Sequence, residues 1–281
     1  MAITVLTSVN SYINTIYERA LFVARELNLM TGLVTPFSAQ GFMARTIPIW
    51  ASATAEDVAD GVDYSNPTTM SKSTSGTLTP GEVIAQALLT DQMIETDPDG
   101  AVNASAKELG AAIATKIDTD LVGDFSSLGA DKGAGAGNSA TLATFAAAFS
   151  YLRASHAPNP IYAVVHPYHW YDIWVELGQP TANQAFLGDV ANKAMRDFFV
   201  SRLISMDWFT SANISVDASD DAISGIFSPQ AMAFDSRRAP RLEPERDASL
   251  RATELNMTAG YAHGVIRSAF GVYYTADATA P

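Results

Sequence analysis

With 281 residues, 48% of them hydrophobic and 17% charged, the chain has enough apolar material for one large core or two moderate ones, which excludes a disordered protein. Its formal net charge of -13, with 17 basic residues against 30 acidic ones, argues against a protein whose task is to neutralise phosphates. The absence of cysteine removes disulfides, thiolate metal sites and cysteine nucleophiles.

The first thirty residues have no basic start and no clean apolar stretch, being interrupted by Asn10, Asn14, Glu18, Arg19 and Arg25, so no signal peptide is expected. No apolar run reaches spanning length, and a chain that folds in a cytoplasm, away from membranes, is expected. Ile13, Ile16, Tyr17, Ala20, Ala24 and Leu27 recur at helical spacing before Thr31 and Gly32, which predicts a short amphipathic helix. Residues 42–50 read as a strand that leads into a polar stretch. Between residues 46 and 71 stand Glu56, Asp57, Asp60 and Asp63 and no basic residue. A second extended run spans residues 77–90. A strand out, a long polar tip and a strand back make a protruding arm that is marginal when isolated and normally needs a partner.

Asp97, Pro98 and Asp99 open a helix with a capping acid and a proline in the first turn. Leu109, Ile113, Ile117 and Leu121 carry it on at a spacing of four, so it is expected to run over residues 98–125. The glycine-rich stretch "DKGAGAGNSA" then marks a break and an expected domain boundary. Beyond it, Leu142, Phe145, Phe149 and Leu152 predict a helix capped by Ser139. Residues 161–165 predict a buried strand, and "HPYHWYDIWVELG" a second helix stopped by Gly178. A further helix is expected at residues 189–199, with short strands near Trp208, near Ile226 and over residues 232–234.

"PRLEPERDASLRATEL", residues 240–255, alternates like a strand although Pro244 stands within it. Leu242, Pro244, Ala248, Leu250 and Ala252 fall on one side, Arg241, Glu243, Glu245, Asp247 and Arg251 on the other. From Leu255 to Tyr261 the apolar residues occupy odd positions instead of even ones, which predicts a bulge or bend near Ala252 and Thr253. The charged side is suited to water or to another copy of the chain.

Catalytic and ligand motifs are weak. In "GAGAGN" no strand precedes the glycines, Asn138 replaces the third fingerprint glycine and no Gly-Lys-Ser/Thr follows, so a flexible hinge is expected, not a phosphate loop. His166 and His169 are three apart, but no carboxylate lies at a metal site's spacing, and ordinary packing is expected. Asp118 and Asp120 face different ways on their helix, and solvation is their expected role. "DPDG" lacks the remaining ligands of a calcium loop. Neither a Gly-x-Ser-x-Gly elbow nor His-Glu-x-x-His occurs, so neither an enzyme nor a cofactor is expected.

The order helix, protruding arm, long helix, α/β segment and terminal charged strands resembles the major capsid (coat) proteins of tailed bacteriophages, with the Hong Kong 97-type capsid fold. "LTPGEVIAQALLTDQMIETD" resembles the returning strand of the family's extended loop as it enters the spine helix. "YAVVHPYHWYDIW" resembles the strand, His-Pro and helix of its axial domain. "GIFSPQAMAFDSRRAPRLEPERD" and "LRATELNMTAGYAHGVIRSAFGVYYTAD" resemble its closing peripheral strands. The resemblance covers essentially the whole chain.

It implies an α+β fold with an N-terminal arm at residues 1–36 and an extended β-hairpin loop (E-loop) at 37–96. The peripheral (P) domain, with the spine helix and terminal strands, is expected at 97–129 and 231–281, and the axial (A) α/β domain at 130–230. It further implies a virion shell subunit that self-assembles as pentamers and hexamers in the host bacterial cytoplasm and encloses double-stranded DNA without sequence-specific binding. Expected partners are copies of itself, with a portal and, where used, a scaffolding protein and a cement or decoration protein. The chain starts almost directly with the arm, so a separate scaffolding protein, or none, is expected.

Expected interface residues are Lys72, Arg237, Arg238, Arg241, Glu243, Glu245, Arg246 and Arg251, a solvated face being the alternative. Some relatives weld their shells by a lysine–asparagine isopeptide bond. Here Lys72 and Asn256 would be the pair, but the local pattern is not matched and an ordinary exposed lysine is expected. An encapsulin-like protein compartment and a nucleotide-binding α/β enzyme are the competing readings.

Overall fold

The computed structural model describes residues 28–39, 41–96, 98–178 and 202–280. The helix expected at residues 13–27, the Asp97 cap and the helix expected at 189–199 lie outside these. In chain order the elements are β1 (Thr35–Ser38), β2 (Arg45–Trp50), β3 (Lys72–Leu78), β4 (Gly81–Thr90), α1 (Asp91–Thr96), α2 (Pro98–Gly123), α3 (Leu142–Ala154), β5 (Tyr162–Val165) and α4 (Pro167–Gly178). They continue with β6 (Arg202–Leu203), β7 (Met206–Thr210), β8 (Asp221–Phe227), β9 (Met232–Asp247), β10 (Ala252–Val265) and β11 (Gly271–Asp277).

Helix α2 has 26 residues, roughly 39 Å at 1.5 Å per residue. Its stripe of Leu109, Ile113, Ile117 and Leu121 is buried against Leu255, Met257, Ala259 and Tyr261 of β10, so a period of four on the helix meets a period of two on the strand. That strand lies inside a four-stranded sheet of order β1-β9-β10-β4, antiparallel except for the short β1–β9 pair.

A second core fills the α/β part. There a five-stranded sheet of order β11-β8-β5-β7-β6 carries α3 and α4, with Trp170, Trp208, Phe145 and Tyr274 fully buried between them. Phe145 stacks on Tyr274 with ring centroids 4.0 Å apart, and Trp208 lies 4.7 Å from Phe145 and 5.4 Å from Trp170. The last strand, β11, pairs with β8 in this sheet. Residues 271–277 thus join the α/β sheet, whereas the sequence grouped them with the other terminal strands.

Several expectations change in detail, each for a local reason. Residues 240–255 form two strands, not one. Asp247 Oδ1 accepts from the Ser249 and Leu250 N–H groups and the Ser249 hydroxyl, and Arg251 takes a positive φ of 50°, so the chain reverses over residues 248–251. This reversal, not a bulge near Ala252, exchanges odd for even positions. Pro244, Ala248 and Leu250 face solvent, and the register shifts lie further on, between Thr258 and Tyr261.

The extended run at 77–90 also divides. Its first part belongs to β3, which pairs with β2, and β4 joins the main sheet after Pro80, which has no N–H to give a ladder. Helix α3 is capped by Thr141, whose Oγ1 accepts from the Thr144 N–H at 3.3 Å, not by Ser139.

The glycine run is no hinge. Lys132 and Gly135 donate to the Tyr273 and Thr275 carbonyls, the Asp277 N–H donates to the Asn138 carbonyl, and the Gly137 N–H donates to Asp221 Oδ1 at 2.7 Å. It is a strap laid along β11, and glycine is required because a Cβ on Gly133 would lie 2.0 Å from the Thr275 carbonyl oxygen.

Candidate assembly surfaces

Strands β2 and β3 form a two-stranded ribbon of their own, with Trp50 opposite Lys72 at its far end. Residues 51–71 beyond it form no strand; across them the Ala51 N–H donates to the Ser71 carbonyl at 2.9 Å, the Thr54 N–H reaches the Thr68 hydroxyl at 3.5 Å, and a turn lies at Ala59–Val62. Trp50, Val58, Val62, Tyr64 and Met70 are exposed there, Trp50 and Val62 by 60% and 61%, among the four acidic residues named above. A tip that leaves this much apolar surface in water buries almost nothing of its own chain. The root of the ribbon, by contrast, has a small core of Leu78, Ala233, Ala262 and Ile266 with Phe37 and Ile47 packed against it.

The second surface is the face of the four-stranded sheet turned away from α2. Its cross-strand rows, read from β4 through β10 to β9, are Glu82–Gly260–Arg238, Ile84–Thr258–Arg241, Gln86–Asn256–Glu243 and Leu88–Glu254–Glu245. Arg238 is paired with Glu82, and its guanidinium lies 5.6 Å from the centre of the Phe42 ring. Arg241 and Glu243 pair at 2.8 Å with both side chains half exposed. Glu245 lies directly opposite Glu254, which accepts from Gln86 Nε2 at 2.9 Å. Asn256 is in an inner strand, and its Oδ1 is buried with no hydrogen-bond partner among the described residues.

Arg246 makes a two-pronged contact with Asp91, both prongs 2.6 Å long, and that hydrogen bonding holds the Asp91 carboxyl below its ordinary range. Arg251 is exposed in the β9–β10 turn, where its carbonyl accepts from the Asp91 N–H at 2.9 Å. Arg237 differs from the other seven candidates. Its side chain is only 4% exposed and is turned onto the fully buried Asp235 at 2.7 Å. Of the eight, Lys72, Arg241, Glu243, Glu245 and Arg251 stand on the surface with no side-chain bond to another element among the described residues, while Arg238 ties β9 to β4 and Arg246 ties β9 to α1.

Asp118 is not solvated. It is buried, accepting from the Met30 N–H at 2.8 Å and Asn213 Nδ2 at 2.8 Å, and so fastens the segment before β1 and the loop after β7 to α2. Asp120 accepts from Lys116 at 2.6 Å and from the Tyr261 hydroxyl at 2.7 Å.

The two histidines pack, as expected. His169 is fully buried, with Nδ1 2.8 Å from the Ser224 hydroxyl and Nε2 3.1 Å from the Ala276 carbonyl. The carbonyl can only accept, so Nε2 carries the proton and Nδ1 accepts from Ser224. Burial lowers the His169 pKa to about 4. A base depressed in the folded state is neutral there while the unfolded chain protonates near 6.5, so folding becomes less favourable as pH falls from 6.5 towards 4. The total loss is about 3 kcal/mol at 1.36 kcal/mol per pKa unit. Denaturant melts at pH 7 and pH 4.5 should show this loss, and His169→Gln should flatten that part of the profile; an equal slope in both proteins would remove His169 as its cause. His263 has the opposite sign. Hydrogen bonding to Asp124 at 2.7 Å raises its pKa, so its contribution is complete below 6.5 and lost as pH rises through the folded value.

A long helix across a four-stranded sheet, a separate α/β unit and a protruding ribbon define a Hong Kong 97-type shell subunit, and known structures agree. The chain is similar to a structure from Mycobacterium phage Che8 (19% identity, 84% of this chain and 85% of that one, TM-score 0.63). It is also similar to the capsid structure of cyanophage P-SCSP1u (11%, 89% and 88%, 0.69) and to a virus-like particle from Pyrococcus furiosus (10%, 94% and 99%, 0.59). No curated protein matches the sequence. The phage capsid protein family model matches residues 85–275, and the chain belongs to that family. It is a structural protein of the virion and not an enzyme, which sets aside the nucleotide-binding reading of the glycine run.

Proposed function

We propose that this chain is the major subunit of an icosahedral bacteriophage head, assembling as pentamers and hexamers around double-stranded DNA. The observation that carries the reading is the ribbon β2–β3, whose tip exposes apolar side chains that a partner molecule would cover. In this reading residues 1–36 act as the arm, 37–96 as the extended loop, 97–129 and 231–281 as the peripheral domain and 130–230 as the axial domain. Assembly takes place in the host bacterial cytoplasm, with a portal and, where used, a scaffolding and a cement or decoration protein as further partners. The net charge of -13 suits a wall that confines DNA without adhering to it.

Replacing residues 51–71 by a short turn tests the role of the tip. The variant should remain a folded, monomer-sized species on gel filtration while the parent elutes as particles. Normal particles from the variant would contradict the reading. Reversing Arg241, Glu243, Glu245 and Arg251 together should cut particle yield at least tenfold without altering the melt, because mixed charges fix register between copies more than they add affinity. Unchanged yield would mark that face as merely solvated. Lys72 lies at the loop and Asn256 in the middle of a sheet, and we hold the shell to be non-covalent, so particles boiled in detergent should run at monomer size.

A further inference from the structure

The root of the ribbon is held to the main sheet by charge as well as by its small core. Arg45, in the outgoing strand β2, donates from Nε to Asp235 Oδ2 at 2.7 Å and from Nη2 to the Ser38 carbonyl at 3.1 Å, with its guanidinium over the Phe37 ring. Arg237, two residues after Asp235 on β9, donates from Nη2 to the same oxygen at 2.7 Å and reaches from Nη1 to the Gly41 carbonyl at 3.5 Å. Two cations from two elements therefore share one carboxylate oxygen.

The rest of the carboxylate and the nearer guanidinium nitrogen are unused. Asp235 Oδ1 and Arg237 Nε are both buried and neither has a hydrogen-bond partner among the described residues. A guanidinium and a carboxylate on one strand face normally close a two-pronged fork, one nitrogen to each oxygen. Here Arg45 occupies Oδ2, and Arg237 leans outward to Gly41, so the fork is left half made. A buried donor and a buried acceptor of opposite charge, both unpaired, are costly in this arrangement and would satisfy each other in another.

We propose that Asp235 is the centre of a two-position latch at the root of the extended loop. In the position seen here, Arg45 is docked and the loop is held to β9. In the second, Arg45 leaves, Arg237 gives up Gly41, and Nε and Nη2 of Arg237 meet Oδ1 and Oδ2 of Asp235. The buried charge stays compensated in both positions, which is what makes the exchange low in cost. Arg45 is the natural leaving partner, since its side chain is 31% exposed against 4% for Arg237 and so regains water on release. Strand β2 is a lever of roughly 20 Å, six residues at about 3.3 Å each, so a small rotation at Arg45 becomes several ångströms at the tip. The latch gives the loop two defined angles instead of a continuum.

Because the chain has no cysteine, Ala53→Cys and Ala248→Cys place two spin labels cleanly on the loop and on the body of the unassembled full-length subunit. Pulsed dipolar distance measurements should give one main distance in this parent and in Arg45→Lys. Arg45→Met, or Arg45→Gln if the first aggregates, should add a second narrow population displaced by roughly 5 Å, as the lever length allows. Adding Arg237→Lys removes the fork, since lysine has no paired donors, and should turn that second population into a broad distribution. A parent-like distance in the Arg45 variant would overturn the latch, as would an equally broad distribution with and without Arg237.

Discussion

Asp235→Ala is expected to be the most destabilising charge deletion in the chain, costing about 3–5 kcal/mol, because it leaves Arg237 buried with no counter-charge. For a protein of this size the melting temperature should fall by roughly 10 °C. The loss comes from stranding a cation and not from the pair's own attraction, so removing both partners should be milder. Asp235→Leu with Arg237→Met is expected to melt above Asp235→Ala. If the double variant proves the less stable of the two, the ion cluster stabilises in its own right and this account of it fails.

Gly133→Ala should be nearly as severe, at about 3 kcal/mol or more, which is large for adding one methyl group. The new Cβ would stand 2.0 Å from the Thr275 oxygen and 2.3 Å from its nitrogen, and backbone cannot move aside as a side-chain tip does. The strap must lift from β11, giving up its hydrogen bonds to Tyr273, Thr275 and Asp277 at about 1 kcal/mol each. Gly135→Ala makes an informative control, because that site has a φ of 87° but only one neighbour, 3.6 Å away, so strain alone acts there. Chemical denaturation of the two variants separates collision from strain, and equal losses would show that contact with β11 is not what requires Gly133.

Where local pattern decides structure, the sequence was a good guide. The spacing of Leu109, Ile113, Ile117 and Leu121 located the long helix almost to its last turn, and a helix follows His166-Pro167 as expected. Errors fell where distant contact decides. Met232 and Phe234 alternate with Asp235 and Arg237 as on a half-exposed strand, and nothing local reveals that Phe37 and Leu78 cover the other face. Asp118 looked like a surface charge because its partners, Met30 and Asn213, lie 88 and 95 residues away. The glycines of residues 133–137 looked like a hinge because the strand they lie on begins at Gly271. The exposed candidates Lys72, Arg241, Glu243, Glu245 and Arg251 were visible as charges, but that their side chains bond to no other element depends on the sheet register.

Electron microscopy of the purified protein, with void and monomer fractions from a gel-filtration column imaged separately, tests the central claim most directly. Closed shells or rings of five and six subunits are the expected result. A well-folded protein that stays strictly monomeric, even when expressed together with the other head proteins of its own virus, would contradict it.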